Sequence, residues 1–358
     1  MSAPISSPSV ASSPPGLEIR VALGRLCDRH DLSSAEMAAL VGRLMDGEGT
    51  PAQIGALLMG LRSKGETVEE IVGAAQAMRT RMVKLDVPPG AIDTCGTGGD
   101  GSGSVNVTTL ASFIIAGAGG RVAKHGNRAL SSRAGSHDVI EALGIDPAPS
   151  PALATRCLAE AGICFMFAPA YHGATKAVMG VRREVGFRTM FNLLGPLTNP
   201  AGVRRHVNGV FAKERCLFVA QAHRALGAER ALVVHGEGNL DEIAPRGATH
   251  VAELLPDGTI VSRDISPADF GLPESDPADL KGGDAATNAR ILREALDGAP
   301  GAVRATALMT AAAGLYVAGL APDLRAGVAA AAAAIDGGAA RAVVDKLRIL
   351  APAAAPST

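Results

Sequence analysis

A glycine-dense segment that starts at Asp93 and reads DTCGTGGDGSGSVNVTT contains the residues best suited to chemistry in this chain. It lies between a predicted strand and a predicted helix, so its backbone N–H groups gather at a helix N-terminus, where a phosphate group can bind. Gly96, Gly98 and Gly101 also match the dinucleotide-binding pattern GxGxxG. However, the acidic residue expected about twenty residues later is absent, and no GK[ST] of a Walker motif follows. The segment therefore predicts binding of phosphate groups, but not of a nicotinamide dinucleotide.

The segment 101–137 has a charge pattern that favours a ligand with several phosphates. It contains no Asp or Glu, but it carries four cations, Arg121, Lys124, Arg128 and Arg133. Two hydroxyl-rich turns accompany them, and cations together with hydroxyl groups are suitable donors to phosphate oxygens. The same composition also fits a tight glycine turn with a solvated charged surface, so composition alone leaves both interpretations open.

The sequence KHGNR at residues 124–128 follows a predicted strand and is itself followed by two serines. At the carboxyl end of a strand these residues would direct a cation, an amide and hydroxyl groups into the cleft of the glycine-rich segment. His125 alone carries little weight, because a single histidine is more often a structural hydrogen-bonding residue than a catalyst.

Two adjacent carboxylates, Asp241 and Glu242, end the sequence HGEGNLDE after another predicted strand. Such a pair is by itself usually an exposed part of a loop. At the carboxyl end of an inner strand, however, two hard oxygen ligands suit Mg²⁺, because phosphates and water complete its octahedron. Next to a site for several phosphates, the pair predicts a magnesium site.

The elements that must position these residues fall into two groups. Three capping boxes predict three amphipathic helices in the N-terminal part, and they pair Ser33 with Glu36, Thr50 with Gln53, and Thr67 with Glu70. After Gly90 short apolar runs alternate with helical patterns, which indicates a mostly parallel sheet covered by helices. The predicted strands are 91–95, 121–124, 164–168, 207–211, 231–235, 251–255 and 259–263, and helical patterns between them include 110–118, 139–143, 213–226 and 288–296.

Length and composition limit the class of protein. The 358 residues predict about two domains. The formal net charge of −1 provides no general basic surface for nucleic acid or an anionic membrane. Five cysteines without a CxxC pattern indicate neither a disulfide framework nor a zinc site, which fits a reducing cytoplasm.

Two segments bear on targeting and membranes. Residues 1–16 are rich in Ser, Ala and Pro and lack the basic start and apolar centre of a secretory signal, so we expect a disordered tail. The uncharged stretch between Arg304 and Asp323 has the length of a membrane span, but glycines and a proline interrupt it. A buried helix that ends near Gly319 is the prediction.

Several motifs in this order and spacing resemble the anthranilate phosphoribosyltransferases, which join anthranilate to the ribose of phosphoribosyl pyrophosphate (PRPP). The resemblance covers residues from about Leu17 to the C-terminus. Its motifs are GTGGD at 96–100, NVTT at 106–109, KHGNR at 124–128, VRRE at 181–184, FNLLGPLTNP at 191–200, LDE at 240–242 and KGGD at 281–284.

The resemblance implies roles for residues at matching positions. It implies Mg²⁺ as cofactor, held by Thr108, Asp241 and Glu242, and contacts to anthranilate from Gly96, Asn127, Arg182 and, with less support from the motifs, His172. Arg183 competes with Arg182 for the carboxylate of anthranilate, and its alternative role is an ion pair with Glu184. No residue is assigned as a general acid or base. The implied PRPP-binding residues are Gly96, Gly99, Asp100, Ser104, Asn106, Val107, Thr108, Thr109, Lys124, His125, Gly126, Asn127, Arg128, Ser131, Ser132 and Ser136.

The fold class that the resemblance implies is α/β, of the nucleoside phosphorylase and phosphoribosyltransferase type. A small helical N-terminal domain would comprise residues 17–88 and a return excursion at about 171–194. A large α/β domain with a mostly parallel central sheet would comprise 89–170 and 195–358 and would bind PRPP and Mg²⁺. The resemblance also implies a homodimer, with small-molecule substrates and neither nucleic acid nor a membrane as partner.

Two other functions stay open at this point. A pyrimidine nucleoside phosphorylase would share the fold and the phosphate site, although the carboxylate pair and Arg182 argue against it. A non-catalytic relative that binds nucleic acid should show a surplus of basic residues and should lack the metal pair. The chain shows neither of these two features.

Overall fold

The computed structural model describes residues 18–98, 101–129 and 133–354. The predicted tail at residues 1–16 lies outside the described residues. So do four of the implied PRPP-binding residues, Gly99, Asp100, Ser131 and Ser132.

Four helices form the N-terminal part, and the capping boxes predicted the start of three of them. In each box the hydroxyl at the N-cap accepts the backbone N–H three residues later, and the side chain there accepts the N-cap N–H in return. These bonds satisfy backbone donors that a helix start otherwise leaves free. The helices are α1 (Ile19–Cys27), α2 (Ser34–Met45), α3 (Pro51–Lys64) and α4 (Val68–Arg81).

The rest of the chain is built around one sheet, and all seven predicted strands are confirmed. The strands are β1 (Ile92–Thr94), β2 (Val122–Gly126), β3 (Ile163–Phe167), β4 (Arg205–Gly209), β5 (Arg230–Gly236), β6 (Thr249–Leu254) and β7 (Ile260–Ile265). Their order in the sheet is β3-β2-β1-β4-β5-β6-β7. Neighbours from β3 to β5 are parallel, whereas β6 and β7 pair in antiparallel fashion. The predicted mostly parallel sheet is therefore confirmed.

Helices connect and cover the strands. The remaining helices are α5 (Val107–Gly117), α6 (Ser136–Ala142), α7 (Pro151–Ala161), α8 (Ala168–Tyr171), α9 (Lys176–Val185), α10 (Phe191–Leu197), α11 (Glu214–Ala225), α12 (Ala285–Leu296), α13 (Ala302–Ala318), α14 (Leu324–Asp336) and α15 (Ala339–Leu350). Helix α13 is mostly buried and ends at Gly319, which adopts a left-handed conformation, as the sequence predicted. In the described part of the chain no single helix is long and apolar enough to cross a membrane. Helices α14 and α15 pass that test only as a pair, and they are bent by 59°.

Two large apolar cores flank the sheet. One joins β1, β2 and β3 to α5, α7, α13 and α15. The other joins α2, α3 and α4 to α9 and α10, and it continues onto α11, β5 and β6. The return of α9 and α10 to the N-terminal helices agrees with a helical domain of 17–88 plus about 171–194. That division stays a prediction, because the second core runs on without a break into the sheet.

Two buried histidines, His206 on β4 and His223 on α11, are held in the neutral form. Their ring centroids lie 4.2 Å apart, and Nε2 of His223 is hydrogen-bonded to Asn208. Burial, with the charge of Arg79 nearby, lowers the pKa of His206 to about 3 and lowers the pKa of His223 well below its usual value. Unfolding exposes both rings to water, where a histidine takes up a proton at about pH 6.5. The stability that these histidines contribute is therefore present above pH 6.5 and is lost as the pH falls below it.

Acidification from pH 7.5 to 5 is therefore expected to lower the free energy of unfolding through these two residues. Each contributes about 1.4 kcal/mol per pH unit below 6.5. Asp93 acts in the opposite direction, because burial raises its pKa to about 6 and the folded chain gains a proton below that pH. Urea unfolding at several pH values measures how the free energy of unfolding changes with pH. The slope for His206→Gln should be smaller by the equivalent of about one bound proton than the slope for the control His30→Gln, which alters an exposed residue. Equal slopes for the two variants would contradict the expectation.

Candidate functional site

The predicted site residues follow the carboxyl ends of parallel strands. The glycine-rich segment follows β1, residues 127–129 follow β2, and the loop with Asp241 and Glu242 follows β5. Because these strands are parallel, their carboxyl ends meet at one edge of the sheet, where open α/β folds bind ligands. Two adjoining cavities lie at this edge.

The first cavity is polar and has a volume of about 270 Å³. It contains most of the described residues that the resemblance assigned to PRPP. Hydroxyl, amide, ammonium and guanidinium groups line one wall, and two carboxylates line another. Its lining includes Gly96, Thr97, Gly98, Ser104, Asn106, Thr108, Lys124, His125, Gly126, Asn127, Arg128, Ser136, Asp241 and Glu242.

The second cavity is larger, about 510 Å³, and mostly apolar. Helices α9 and α10 supply much of its wall, together with Met78 of α4. Its lining includes Met78, Pro169, His172, Lys176, Met179, Arg182, Phe191, Leu194 and Pro196. The two cavities share a wall formed by Cys95, Gly96, Thr97, His125, Gly126, Asn127, Arg182 and Asn192. Gly96, Asn127 and Arg182, the three principal anthranilate positions, therefore lie where the cavities meet.

The carboxylate pair packs closely against the glycine-rich segment. The N–H of Gly98 donates to Oδ2 of Asp241 at 2.7 Å, and the N–H of Thr108 donates to Oε1 of Glu242 at 3.3 Å. A Cβ at Gly96 would lie 2.7 Å from the same Asp241 oxygen, so a larger residue there would displace this carboxylate. Both carboxylates are less than a tenth exposed and both line the polar cavity.

The donor set at this position fits Mg²⁺. Two carboxylates and the hydroxyl-bearing Thr108 line the same small cavity, and all are hard oxygen ligands. No group of three or more His, Cys, Asp or Glu residues in the described part of the chain forms a complete metal cage. Magnesium bound here would therefore need oxygens from a phosphorylated ligand and water, which is the usual arrangement for this ion.

The KGGD motif at 281–284 forms backbone hydrogen bonds with the glycine-rich segment. Ser104 and Lys281 form an isolated β-bridge, and the N–H of Gly282 donates to the carbonyl of Gly103 at 2.8 Å. Asn288, at the start of α12, donates to Oδ1 of Asn106 at 3.0 Å. These bonds fix the backbone of the segment and the orientation of Asn106 at the polar cavity.

Arg182 is partly buried and lies in the wall that separates the cavities. Its guanidinium lies 6.0 Å from the centre of the Phe191 ring, and burial lowers its pKa. Among the described residues no carboxylate forms an ion pair with it. A desolvated guanidinium without such a partner is well suited to bind the carboxylate of a ligand in a bidentate fork.

His125 and His172 form a neutral, uncharged part of the wall. Their ring centroids lie 5.1 Å apart, and Nδ1 of His125 is bonded to the carbonyl of Gly195 at 3.1 Å. Burial lowers the pKa of His125 to about 3 and the pKa of His172 to about 4. Both rings are thus uncharged at neutral pH, so they do not compete with Arg182 for an anion.

Comparisons with known proteins identify the family of this chain. Residues 20–82 match the helical bundle domain of the glycosyl transferase family, and residues 88–341 match its a/b domain. The anthranilate phosphoribosyltransferase of Azorhizobium caulinodans is 53% identical over 337 residues, which cover 94% of this chain and 96% of that protein. The chain belongs to the anthranilate phosphoribosyltransferase family.

Solved structures of anthranilate phosphoribosyltransferases have the same fold. The crystal structure of the enzyme from Thermus thermophilus superposes with a TM-score of 0.87 at 40% identity, and the match covers 92% of this chain and 98% of that one. The enzyme from Saccharomyces cerevisiae in complex with PRPP and Mg superposes with a TM-score of 0.84 at 26% identity, covering 93% and 97%. The helical N-terminal part and the large α/β part are thus features of the family.

The charge argument from residues 101–137 is partly wrong for this chain. Arg121 precedes β2 and so lies at the opposite end of that strand from the cavity, and Arg133 is exposed and outside the cavity lining. Arg128 does line the polar cavity, but it forms ion pairs with Asp138 at 3.0 Å and Glu141 at 2.7 Å. Asp138 and Glu141 follow shortly after the acid-free stretch, and helix α6 places both of them next to Arg128.

Two implied PRPP-binding residues, Val107 and Thr109, have side chains outside the polar cavity. Val107 belongs to the apolar core beneath α5, and Thr109 is fully buried. Their N–H groups bond to the carbonyls of Val105 and Asn106. In this structure they shape the start of the helix, and their side chains lie outside the polar cavity. Their implied roles toward PRPP stay predictions.

Sequence reasoning missed some residues that line the site. Asn192 lines both cavities and caps the turn before it by accepting the N–H of Thr189 at 3.0 Å. It lies in the FNLLGPLTNP motif that carried part of the family resemblance, so the motif was the available signal. Met179 and Lys176 follow from helical spacing with Arg182 on α9, because residues three apart share a face.

Proposed function

We propose that this protein transfers the phosphoribosyl group of PRPP to the amine of anthranilate, giving N-(5-phosphoribosyl)anthranilate and pyrophosphate in tryptophan biosynthesis. One observation carries the proposal: a polar cavity with backbone donors and two carboxylates opens beside an apolar cavity, and Arg182 lies in their shared wall. The family membership supports the same function, since the yeast relative binds PRPP and Mg.

The polar cavity suits PRPP. Its glycine-rich segment ends at the N-terminus of α5, which attracts anions. Hydroxyl and amide donors surround it, and Lys124 and Arg128 provide positive charge. Arg128 would exchange Asp138 and Glu141 for a phosphate oxygen, whereas Lys124 is only 2% exposed and donates to the carbonyl of Thr94.

The apolar cavity suits anthranilate. A flat aromatic ring fits walls of Met, Phe, Leu and Pro, and the carboxylate needs a cation that is free to bind it. Arg182 offers that cation at the junction of the cavities. Gripping the carboxylate there would direct the neighbouring amine toward the polar cavity and toward C1 of the ribose.

The chemistry then depends mainly on positioning and electrostatics. The amine nitrogen forms a bond to C1 while the bond from C1 to the pyrophosphate oxygen breaks, and the electron pair leaves on that oxygen. An aromatic amine is neutral at pH 7, so the nucleophile needs no strong base, and its surplus proton can pass to pyrophosphate or solvent. Backbone N–H groups of the glycine-rich segment would stabilise the charge that develops on pyrophosphate. This agrees with the lack of an assigned acid or base.

The residues present fit a role for Mg²⁺ as cofactor. Asp241 and Glu242 would hold the ion, with the Thr108 hydroxyl as a third ligand. When bound, Mg²⁺ would neutralise charge on pyrophosphate and so make it a better leaving group. The N–H groups of Gly98 and Thr108 would keep the two carboxylates oriented toward it.

A fluorescence assay tests the proposal directly. Anthranilate fluorescence should decrease when PRPP is added to the protein with Mg²⁺, and this decrease should be lost when the metal is chelated. Phosphorolysis of thymidine or uridine in parallel would instead indicate the nucleoside phosphorylase alternative. Salt-sensitive DNA binding without turnover would indicate the nucleic-acid-binding alternative.

We further infer a cytoplasmic homodimer. All five cysteines are free thiols, which fits a reducing compartment. Val21 on α1 and Met59 on α3 are both about half exposed, which supports a self-association surface on the N-terminal helices. Sedimentation velocity of the wild-type protein tests this assembly.

A further inference from the structure

A fully buried carboxylate lies behind the two cavities and belongs to neither lining. Asp93 is 0% exposed. Strand alternation explains its direction: Thr94 contacts Ser112 of α5, so the side chain of Asp93 points to the opposite face of the sheet. A carboxylate at such a depth is costly unless hydrogen bonds and charge satisfy it.

Both oxygens of Asp93 are bound, and each bond reaches a different wall of the site. Oδ1 accepts the N–H of His125 on β2 at 3.2 Å. Oδ2 accepts Nδ2 of Asn199, which follows α10, at 2.7 Å. Lys124 is the charged side chain beside it, and its attraction partly opposes the effect of burial, which raises the pKa of Asp93 to about 6.

Asn199 completes the connection. Its Nδ2 also donates to the carbonyl of Ala123 on β2 at 2.9 Å, and its Oδ1 accepts the N–H of Ala201 at 2.8 Å. The end of β2 leads into the polar cavity, whereas α10 forms part of the apolar cavity. Asp93 and Asn199 therefore connect the end of β2 to the segment after α10, and neither residue lines a cavity.

We propose that Asp93 and Asn199 are a positioning pair that sets the distance between the donor site and the acceptor site. The bond between His125 Nδ1 and the carbonyl of Gly195 joins the same two elements on the cavity side. Together, these connections hold α10 at a fixed separation from the end of β2. Displacement of reacting groups by about 1 Å can cost about 100-fold in rate. This inference rests on the proposed function.

Asp93→Asn tests the pair, because it keeps the shape but places an amide of residue 93 against the amide of Asn199. Each half of the site stays intact, so KM for PRPP and for anthranilate should each change less than about 3-fold. The value of kcat should fall by roughly 30- to 100-fold, because only the spacing changes. PRPP binding measured by calorimetry should stay near that of the wild type.

Glu70→Gln is the matched control. Glu70 is also fully buried, and its oxygens accept N–H groups of Leu32 and Thr67, but it lies in the N-terminal helices away from both cavities. A similar loss of stability with unchanged kcat is expected for this variant. An equal fall of kcat in both variants would assign the effect to stability and would overturn the proposal.

Two further variants test the same proposal in case Asp93→Asn does not fold. Asn199→Ser should give the same split between kcat and KM. The exchange Asp93→Asn with Asn199→Asp restores a donor opposite an acceptor and should recover at least about 5-fold of the lost kcat. Unchanged kcat, raised KM alone, or failure of both single variants to fold would overturn the positioning role. A wild-type protein that forms no product would instead refute the proposed function.

Discussion

Replacing Asp241 by Asn and Glu242 by Gln together is expected to lower kcat/KM by about 1,000-fold, which corresponds to roughly 4 kcal/mol of transition-state stabilisation. The reason is that the two amides cannot replace two anionic ligands of Mg²⁺. The fold should survive, since each amide retains an oxygen that can accept the N–H of Gly98 or Thr108. Turnover measured as the decrease of anthranilate fluorescence, over a range of Mg²⁺ concentrations, checks both parts.

Glu237→Gln is the control for this variant. Glu237 belongs to the same loop, but it lies outside the polar cavity and accepts the N–H of Ala248 at 3.1 Å. Its replacement should leave both turnover and the dependence on Mg²⁺ unchanged. Activity of the Asp241→Asn, Glu242→Gln protein within a few-fold of the wild type, at any Mg²⁺ concentration, would refute the assignment of the metal site.

Local sequence patterns predicted all seven strands and the starts of α2, α3 and α4, but not helices α1, α7, α14 and α15. A capping box involves residues only three apart, so Ser33 with Glu36 predicts a helix start whatever lies around it. Short apolar runs that alternate with helical patterns predicted the strands. The antiparallel pairing of β6 with β7 was not predicted, although the sequence contains its signal. The turn at residues 256–258 is too short to join parallel strands, and its Asp-Gly pair is typical of a hairpin.

Parts of the site that depend on neighbouring residues could also be predicted, whereas parts that depend on contacts between distant residues could not. The glycine-rich segment could be predicted because its function depends on consecutive backbone groups. The bond between Asp93 and Asn199 joins residues 106 positions apart, and no pattern within either segment indicates it. The pairing of Arg128 with Glu141 depends on how α6 folds back, so counting charges along residues 101–137 overestimated the positive charge available to a ligand.

Arg182→Ala is expected to raise KM for anthranilate by about 100-fold and to leave KM for PRPP within about 3-fold. Removing one partner of a desolvated charge pair costs roughly 2–5 kcal/mol, since the substrate carboxylate would remain buried without a cation. Arg182→Lys should recover only part of the loss, because an ammonium keeps the charge but cannot form the two parallel bonds of a guanidinium. Steady-state kinetics with each substrate varied in turn measure both constants.

Arg183→Ala separates this role from a general effect of positive charge on α9. Arg183 is the next residue on the helix, but it is exposed and lies outside the lining of both cavities. Among the described residues it forms no ion pair with Glu184, the alternative that the sequence suggested. Its removal should leave KM for anthranilate nearly unchanged. If Arg183→Ala raised that KM as much as Arg182→Ala, the carboxylate would be attracted by the helix surface as a whole, and the fork at the junction of the cavities would lose its assigned role.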